Sequence, residues 1–371
     1  MKHLRATEQD SEKIKAFFDS KTIMGSIDFS IRRDGNFFDQ YRLMSDDYET
    51  HLLLDNDEEI LGLASLVFRE GFVQGEKTIW GYATDLRIAP TRMAILRWAE
   101  HFVPILEAAC QERRCQYVFS TVHTNDNQVY NALIRPASHS RRSLPRYHLA
   151  NKFKLIFLHG QMPFAPKPLP SIRLHPLEEN DIEALCSYLM ERSKLRPMAS
   201  IYHPDHFLEQ LKRWPGLTQG DFRIAKDKTG QIIGCAGLWN SRAVQSLIPQ
   251  TYHGLALTRH QSLKAMGFFG LARPTPEPGS VFPIRMLTHL ACDNAEVFYR
   301  LVHDAFSRLN PGEFLAYLHF RGHWRTLPPI SYIATSLPMG LYMIIPPSFQ
   351  VPTWPQINMN SLPPEFEAAW L

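Results

Sequence analysis

The chain reads WGYATDLRIAP over residues 80–90, and this stretch decides the fold. Tyr82, Leu86 and Ile88 favour a strand, which the closing proline ends. Apolar residues then recur at helical spacing as far as Ala109. A strand that runs straight into a helix leaves unpaired N–H groups at the helix start. Such a junction is either an ordinary connection or a site for a phosphate group.

Length and composition indicate a globular protein of two domains. A chain of 371 residues is long enough for two separate cores. A net charge of +3 is too small to indicate a nucleic-acid-binding surface. No apolar run approaches the ~18 residues of a membrane helix. The five scattered cysteines and the charged start of the sequence predict a reduced, cytoplasmic protein, and no His, Cys or Asp spacing suggests a metal site.

The first half predicts a mixed sheet with helices on both faces. The expected order over residues 1–161 is β-α-α-β-β-β-α-β-α-β, with a weak additional strand near Phe29. An antiparallel hairpin is expected over residues 51–68, immediately before the central strand. The last strand, over residues 152–159, is expected to close this unit.

The same pattern starts again after a linker. Four prolines in residues 162–170 predict an extended connector. Residues 222–239 repeat the hairpin, and residues 282–291 repeat the central strand, which indicates internal duplication. An insertion over residues 240–279 is expected to be functional or partly helical. The proline-rich tail, residues 346–371, is read as an arm that packs on the body or as a partner-binding segment.

The run DLRIAP at residues 85–90 resembles the fourth strand of the GNAT (Gcn-related N-acetyltransferase) superfamily, which carries D-L-R-V-x-P. Further motifs, such as LPRY at residues 144–147 and GLWNSRA at residues 237–243, resemble a group of bacterial proteins with two such domains in tandem. The resemblance implies an α/β (α+β) fold class with two GNAT-like domains, each a mixed, mainly antiparallel sheet flanked by helices. The predicted units are residues 1–161, the linker 162–170, residues 171–345 and the tail 346–371.

The resemblance also implies a ligand, acetyl-CoA or another acyl-CoA as substrate. In the superfamily the central strand separates from its neighbour, and its backbone pairs with the pantetheine arm. The pyrophosphate binds in the loop that follows. Carried over to this chain, the binding residues are Leu86, Arg87 and Ile88 on the strand, Arg92, Met93 and Ala94 in the loop, and Asn127 after the next strand.

Two roles in the chemistry, the base and the thiolate acid, each have two candidate residues. Asp85 on the strand and His123 at the end of the next strand are candidate bases for an amine acceptor. Tyr130 is a substitute for the tyrosine that protonates the leaving thiolate in the superfamily, and Tyr147 is another. Because no Cys-His or Ser-His constellation is visible, we expect direct attack of the amine in a ternary complex.

Three functions remain open from the sequence. The first is an acyl-CoA-dependent N-acyltransferase, in particular an N-acetyltransferase, acting on a small-molecule or peptide amine, with the second domain shaping the acceptor cleft. The second is a non-catalytic binding or scaffold protein on two degenerate domains, since the phosphate loop lacks glycine; a side-chain-filled gap would mark it. The third is transfer of a larger acyl group, which a deep apolar tunnel would mark. A homo-oligomer is also left open.

Overall fold

The elements of the first half follow the predicted order. The computed structural model describes residues 1–73, 75–124, 126, 129–134, 144–351 and 362–371. The strands of the first half are β1 (Lys2–Arg5), β2 (Ile27–Arg32), β3 (Asp47–Leu54), β4 (Ile60–Val73), β5 (Glu76–Ile88), β6 (Tyr117–His123) and β7 (Arg146–Gln161). Its helices are α1 (Ser11–Asp19), α2 (Asp39–Arg42) and α3 (Arg92–Glu112), and a π-helical turn covers Tyr130–Ile134.

The second half repeats this order, except that its described residues have no counterpart of β2 and it gains a strand and a helix before its central strand. Its strands are β8 (Arg173–Pro176), β9 (Phe222–Lys226), β10 (Ile232–Asn240), β11 (Ser246–Tyr252), β12 (Ile284–Cys292), β13 (Phe314–Phe320) and β14 (Tyr332–Ile345). Its helices are α4 (Ile182–Ser193), α5 (Pro204–Lys212), α6 (Gly254–Phe268) and α7 (Ala295–Ser307). The predicted insertion is therefore partly helical, and it supplies β11 and α6.

One sheet of twelve strands runs through both halves. Its order is β1-β3-β4-β5-β6-β14-β7-β13-β12-β10-β9-β8, and β11 forms a separate two-stranded sheet with β2. The order is close to symmetric about the β14–β7 pair, as expected for a duplicated unit. Among the described strands, β5 with β6 and β12 with β13 are the parallel pairs, and the other pairs are antiparallel.

The closing strands of the two halves are exchanged. β14 lies against β6 of the first half, while β7 lies against β13 of the second half. The two closing strands pair with each other from Tyr332–Gln161 to Ile345–Arg146. The sequence predicted that each half would close its own sheet, and the observed pairing differs from that prediction. The division of the chain at residues 162–170 stays a prediction.

The largest hydrophobic cluster joins the halves and includes the end of the described chain. Phe366 and Trp370 are buried in it. The Phe366 ring lies 5.4 Å from that of Tyr82 on β5, and the Trp370 ring lies 6.2 Å from that of Trp80. Residues 362–371 therefore pack on the body as an arm. No helix among the described residues is long and apolar enough to cross a membrane.

Candidate active site

The parallel strands β5 and β6 separate after a short paired section. They pair at Trp80–Tyr117, Gly81–Val118 and Tyr82–Phe119, and there the ladder ends. Both strands nevertheless continue, β5 to Ile88 and β6 to His123. Over these last residues the edge of β5 that faces β6 has no strand partner among the described residues. The N–H and C=O groups along this edge need other acceptors and donors.

A β-bulge in β5 accompanies the separation. Against β4, Leu63 pairs with Arg87 and Ser65 with Thr84, so that β5 carries one extra residue at this point. Asp85, inside the bulge, has a φ of 56°. This left-handed conformation is uncommon for residues other than glycine, although aspartate is among those that adopt it most readily. Because bulges bend the strand that contains them, this one turns the end of β5 away from β6.

A cavity of about 850 Å³ lies at the gap. It is lined by the separated ends of β5 and β6, by β4, by α3 and by the loop at residues 20–24. Met339 on β14 and Leu371 also line it, so the second half contributes to its wall. The second half also supports this region through β11, which pairs with β2 directly after the loop.

The face of the cavity next to α3 is apolar. Ala83 on β5 packs in a cluster with Leu66 and Leu106, and Leu86 packs in a second cluster with Phe102. Trp98 on α3 and Tyr147 on β7 line the same cavity. Side chains alternate along a strand, so the opposite face receives the intervening residues of β5 and β6.

The opposite face, towards α1 and α2, is polar. Asp85 there forms an ion pair with Arg33 at 2.7 Å, and both side chains are buried. The Tyr41 hydroxyl donates to Asp85 Oδ2 at 2.7 Å and also lies 2.7 Å from Ser65 Oγ. Burial raises the pKa of Tyr41, and the Asp85 charge adds to the shift. Because Asp85 is engaged by two partners, its surroundings favour a positioning role over the role of a base, which stays a prediction.

His123 is the second predicted base, and it lines the cavity. Its side chain is buried, and neither ring nitrogen has a hydrogen-bond partner among the described residues. Burial lowers the pKa of His123, which Asp126 partly offsets. The ring also lies against the loop, since a Cβ added at Gly25 would come within 2.9 Å of its Cε1 atom. A neutral imidazole in a cavity wall can accept a proton.

The start of α3 faces the end of β5. Thr91 is the N-cap, and its hydroxyl accepts from the Ala94 amide at 3.3 Å. The amides of Arg92 and Met93, as the first residues of the helix, have no intrahelical acceptor. Arg92 and Met93 are exposed. Two of the three predicted phosphate-loop residues thus present amides to a ligand, while that of Ala94 is already bonded.

The remaining predicted residues divide between the cavity and its surroundings. Leu86, Arg87 and Ile88 line the cavity, as Asp85 and His123 do. Tyr130 is 45% exposed and is not among the lining residues, whereas Tyr147 is. Asn127 lies outside the described residues. The structure therefore brings together the predicted strand residues and His123, while Tyr130 stands apart from them.

Two lining features were not predicted from the sequence. The Tyr82 hydroxyl lies 2.6 Å from Thr121 Oγ1, a contact that joins β5 and β6 just beyond their last paired residues. The loop at residues 20–24 closes the polar face. Both depend on which strands and loops meet in space. The only sequence signal for the loop was its place between a helix and the weak strand that became β2.

The second half has the same bulge at an equivalent place. β12 and β13 pair at Ile284–Phe314, Arg285–Leu315 and Met286–Ala316, and their ladder then ends. β12 also carries a bulge between Thr288 and Ala291, in which His289 has a φ of 50°. Aligned on these ladders, His289 is the counterpart of Asp85.

Side chains fill the second gap. The counterpart of Ala83 is Leu287, and that of Ser120 is Tyr317; both of the larger residues are buried in one cluster with Phe298 of α7. On the other face, Glu367 Oε1 accepts from the His289 amide at 2.8 Å. Side chains and the arm at residues 362–371 therefore occupy much of the second gap, and a cavity of about 110 Å³ remains between the ends of β12 and β13.

The arm is held by a buried polar cluster. Glu365 accepts from the Tyr202 hydroxyl at 2.8 Å and from the Ser200 amide at 3.1 Å. Burial raises the pKa of Glu367 to about 8, and the Glu365 charge contributes to the shift. The cavity of about 110 Å³ in the second gap borders this cluster, and Glu365, Glu367, Arg196 and Arg325 are among the residues that line it.

Comparison with known proteins identifies the fold. No protein-family model matches the sequence, and no curated protein matches it either. Among solved structures, Saccharomyces cerevisiae N-myristoyltransferase with bound myristoyl-CoA matches with a TM-score of 0.54 at 10% identity, covering 92% of this chain and 82% of that one. A probable N-acyltransferase from Enterococcus faecalis V583 matches with a TM-score of 0.50 at 7% identity, covering 93% of this chain and 73% of that one.

A GCN5-related N-acetyltransferase from Sphaerobacter thermophilus is also among the matches, with a TM-score of 0.47 at 11% identity, covering 81% of this chain and 82% of that one. At identities this low, likeness of structure shows a shared fold. The predicted GNAT fold is confirmed, with a mainly antiparallel sheet flanked by helices.

Proposed function

We propose that this chain is an acyl-CoA-dependent N-acyltransferase that binds its acyl-CoA in the gap between β5 and β6. The observation that carries the proposal is the early end of the β5–β6 ladder at Tyr82–Phe119, with a cavity of about 850 Å³ at the unpaired ends. A pantetheine arm is thin and carries two amides, so it can pair with an unpaired strand edge as an added strand would.

Backbone amides next to the gap are suited to the two polar groups of the acyl-CoA, its pyrophosphate and its thioester. The exposed first-turn amides of Arg92 and Met93 suit the pyrophosphate, because a helix start favours negative charge. At the other end, the bulge amide of Asp85 is a candidate donor to the thioester oxygen. Its counterpart in the second half, the His289 amide, donates to a carboxylate oxygen at 2.8 Å.

The fold neighbours support an acyl-CoA substrate in general terms. The N-myristoyltransferase structure has myristoyl-CoA bound, and the likeness spans 92% of this chain. The structural similarity does not identify the acyl group or the acceptor. Both are inferred from the residues that line the cavity of this chain.

The acceptor chemistry requires one proton to leave the amine. In the proposed reaction His123 Nε2 or Nδ1 takes this proton, the amine nitrogen bonds to the thioester carbon, and the C–S bond breaks to release the CoA thiolate. The low pKa of His123 keeps its imidazole neutral and able to accept at neutral pH. The Arg33–Asp85–Tyr41 network holds the bulge in place beneath the reacting carbon.

The acyl group is the less constrained part of the proposal. Acetyl transfer needs little room beyond the thioester. The apolar wall formed by Leu66, Trp98, Phe102 and Leu106 instead favours a longer chain, because apolar surface is stabilised by apolar contact. Transfer of a longer acyl group is therefore our second candidate function, after acetyl transfer. Both acetyl-CoA and longer thioesters are included in the binding experiments.

The scaffold alternative fits the second half better than the first. Its expected mark was a gap filled by side chains. Leu287 and Tyr317 fill the second gap in this way, whereas Ala83 and Ser120 leave the first gap open. We therefore assign ligand binding to the first half alone.

Thermal stability in the presence of thioesters tests the proposal. Acetyl-, octanoyl- and myristoyl-CoA are compared with free CoA at equal concentration. A ligand at 100 times its Kd stabilises a folded protein by about 2.7 kcal/mol, which is a readily measured shift in Tm. We expect at least one thioester to raise Tm and Arg92→Glu to weaken the shift, whereas exposed Arg97→Glu, one turn into α3, leaves it nearly unchanged. Absence of any shift at millimolar concentration contradicts the proposal.

A further inference from the structure

Two cations on the polar face of the cavity lack ion-pair partners. Arg87 and Lys21 both line the cavity, and neither forms an ion pair with another described residue. The Arg87 guanidinium donates to the Leu86 carbonyl at 3.2 Å and lies 5.1 Å from the Phe18 ring. Lys21 Nζ lies 4.6 Å from the Phe17 ring. Arg33, in contrast, has the Asp85 carboxylate.

The charges of Asp85 and Asp126 act on Arg87, but neither carboxylate forms a close ion pair with it among the described residues. Asp85 Oδ2 already accepts from Arg33 and from the Tyr41 hydroxyl, and Asp126 Oδ1 accepts from the Val129 amide. Arg87 is half-buried, and burial lowers the pKa of its guanidinium, which the Asp85 charge partly offsets. A guanidinium carries five donors in a planar fork, and one hydrogen bond to a carbonyl satisfies few of them. Enclosed charges of this kind are normally paired.

Arg87 and His123 stand on opposite sides of the same gap. Arg87 is five residues beyond the last paired residue of β5, and His123 is four beyond that of β6. At ~3.3 Å per residue, both lie about 13–17 Å past the closed end of the gap. Arg87 faces α1 through its contact with Phe18, and His123 faces the loop that follows α1 through Gly25. Both side chains therefore border the polar part of the cavity.

The phosphates of CoA are not suitable partners for Arg87. Their proposed site is the start of α3, and α3 packs on the opposite face of the sheet, where Ala94 and Phe102 lie in a cluster with Leu53. An anion that reaches Arg87 must then belong to the second substrate. In the proposed function this substrate is an amine, and His123 is the candidate base that takes its proton.

We propose that the acceptor is a small amine that also carries a carboxylate, an amino acid, with Arg87 binding the carboxylate while the amine lies next to His123. A carboxylate fits the guanidinium in a two-point hydrogen-bonded pair. Lys21 adds a second positive charge to the wall of the same cavity. This assignment rests on the proposed acyltransferase function and names the class of acceptor at that site.

Matched acceptors test the assignment. Glycine, leucine and phenylalanine are each compared with the amine that lacks the carboxylate: methylamine, isoamylamine and phenethylamine. CoA release is followed with a thiol reagent, using the acyl-CoA that binds best. Arg87→Met is compared with Arg87→Lys, which keeps the charge, and with exposed Arg97→Met as the control. Acyl-CoA binding to each variant is measured separately by calorimetry.

We expect at least one amino acid to exceed its matched amine in kcat/KM by about 10- to 100-fold, the size of a charge-assisted hydrogen bond. Arg87→Met should remove this preference chiefly through KM, Arg87→Lys should restore part of it, and both should bind acyl-CoA as wild type does. Equal rates for acids and amines, a preference that survives in Arg87→Met, or turnover of none of the acids by protein that binds acyl-CoA overturns the acceptor assignment alone. Failure to bind any acyl-CoA overturns the proposed function as well.

Discussion

At the residue scale, His123 combines burial with two ring nitrogens that have no hydrogen-bond partner in the described part of the chain. A buried polar atom without a partner lowers the stability of the folded state. A functional role would explain why His123 is nevertheless present in the cavity wall. Proton transfer from a bound amine is such a reason. We expect His123→Ala to lower kcat by about 10²- to 10⁴-fold, the usual contribution of general base catalysis. Calorimetry should find acyl-CoA affinity unchanged. Weakened acyl-CoA binding with normal kcat would instead make His123 a structural residue.

The pH dependence of kcat provides an independent check on the same residue. The imidazole accepts a proton only in its neutral form, so the rate falls as the pH drops through its pKa. Burial lowers the pKa of His123 from its ordinary value of 6.5. The acidic limb of kcat should therefore have its midpoint below pH 6.5, and His123→Ala should lack this limb. A midpoint above pH 6.5 that depends on His123 is incompatible with a desolvated neutral base.

At the element scale, local signals predicted β5 and α3, whereas the separation of β5 from β6 was predicted only through the resemblance of residues 85–90 to the GNAT superfamily. The stretch at residues 80–90 identified β5 and the helix that follows, because its β-formers, its proline and the spacing of apolar residues are local signals. The position of His123 at the end of β6 followed from the same kind of signal. The engagement of Asp85 by Arg33 and Tyr41 did not, since those partners lie 52 and 44 residues away in the chain.

The buried Glu367 in the arm at residues 362–371 should make the stability of the protein depend on pH. The pKa of Glu367 is raised to about 8 from an ordinary value of 4.5, chiefly by burial. The folded state thus holds a proton that the unfolded state releases, and this contribution to stability declines as the pH rises from about 4.5 through 8. Glu367→Gln cannot ionise. We expect its Tm, measured by calorimetry, to fall less than that of wild type between pH 6 and pH 9.

Exposed Glu183→Gln on α4 is the matched control for that measurement, and its pH profile should follow wild type. Parallel profiles for wild type and Glu367→Gln would mean that the Glu367 carboxyl is hydrated and that the arm is not packed tightly at the His289 amide.

At the scale of the whole molecule, duplication was visible in the sequence and the exchange of closing strands was not. The repeated hairpins and central strands are local patterns, so they could be aligned between the halves. The sequences of β7 and β14 do not indicate which half each strand closes, because an alternating apolar pattern does not specify the neighbouring strand. Consecutive strands are usually neighbours, which made the simpler arrangement the natural expectation. The observed sheet joins both halves and brings Met339 and Leu371 to the first cavity.

The two halves also differ in a way that single positions explain. The bulge and the separated strands are common to both, yet Ala83 and Ser120 leave a cavity where Leu287 and Tyr317 fill the space. The same scaffold thus has one gap with a cavity of about 850 Å³ and one in which side chains leave only about 110 Å³. The sequence contains this difference, but only the register of the two parallel ladders shows which residues correspond.

The stoichiometry of acyl-CoA binding tests the central claim most directly. Isothermal titration with the best-binding acyl-CoA is applied to wild type, to the double variant Ala83→Leu with Ser120→Tyr, which transfers the side chains of the closed gap to the open one, and to exposed Ser262→Tyr on α6 as a control of equal bulk. We predict one acyl-CoA per chain for wild type and for Ser262→Tyr, and no detectable binding for the folded double variant. Undiminished binding by the double variant, or two equivalent sites in wild type, would contradict an acyl-CoA site between β5 and β6 of the first half.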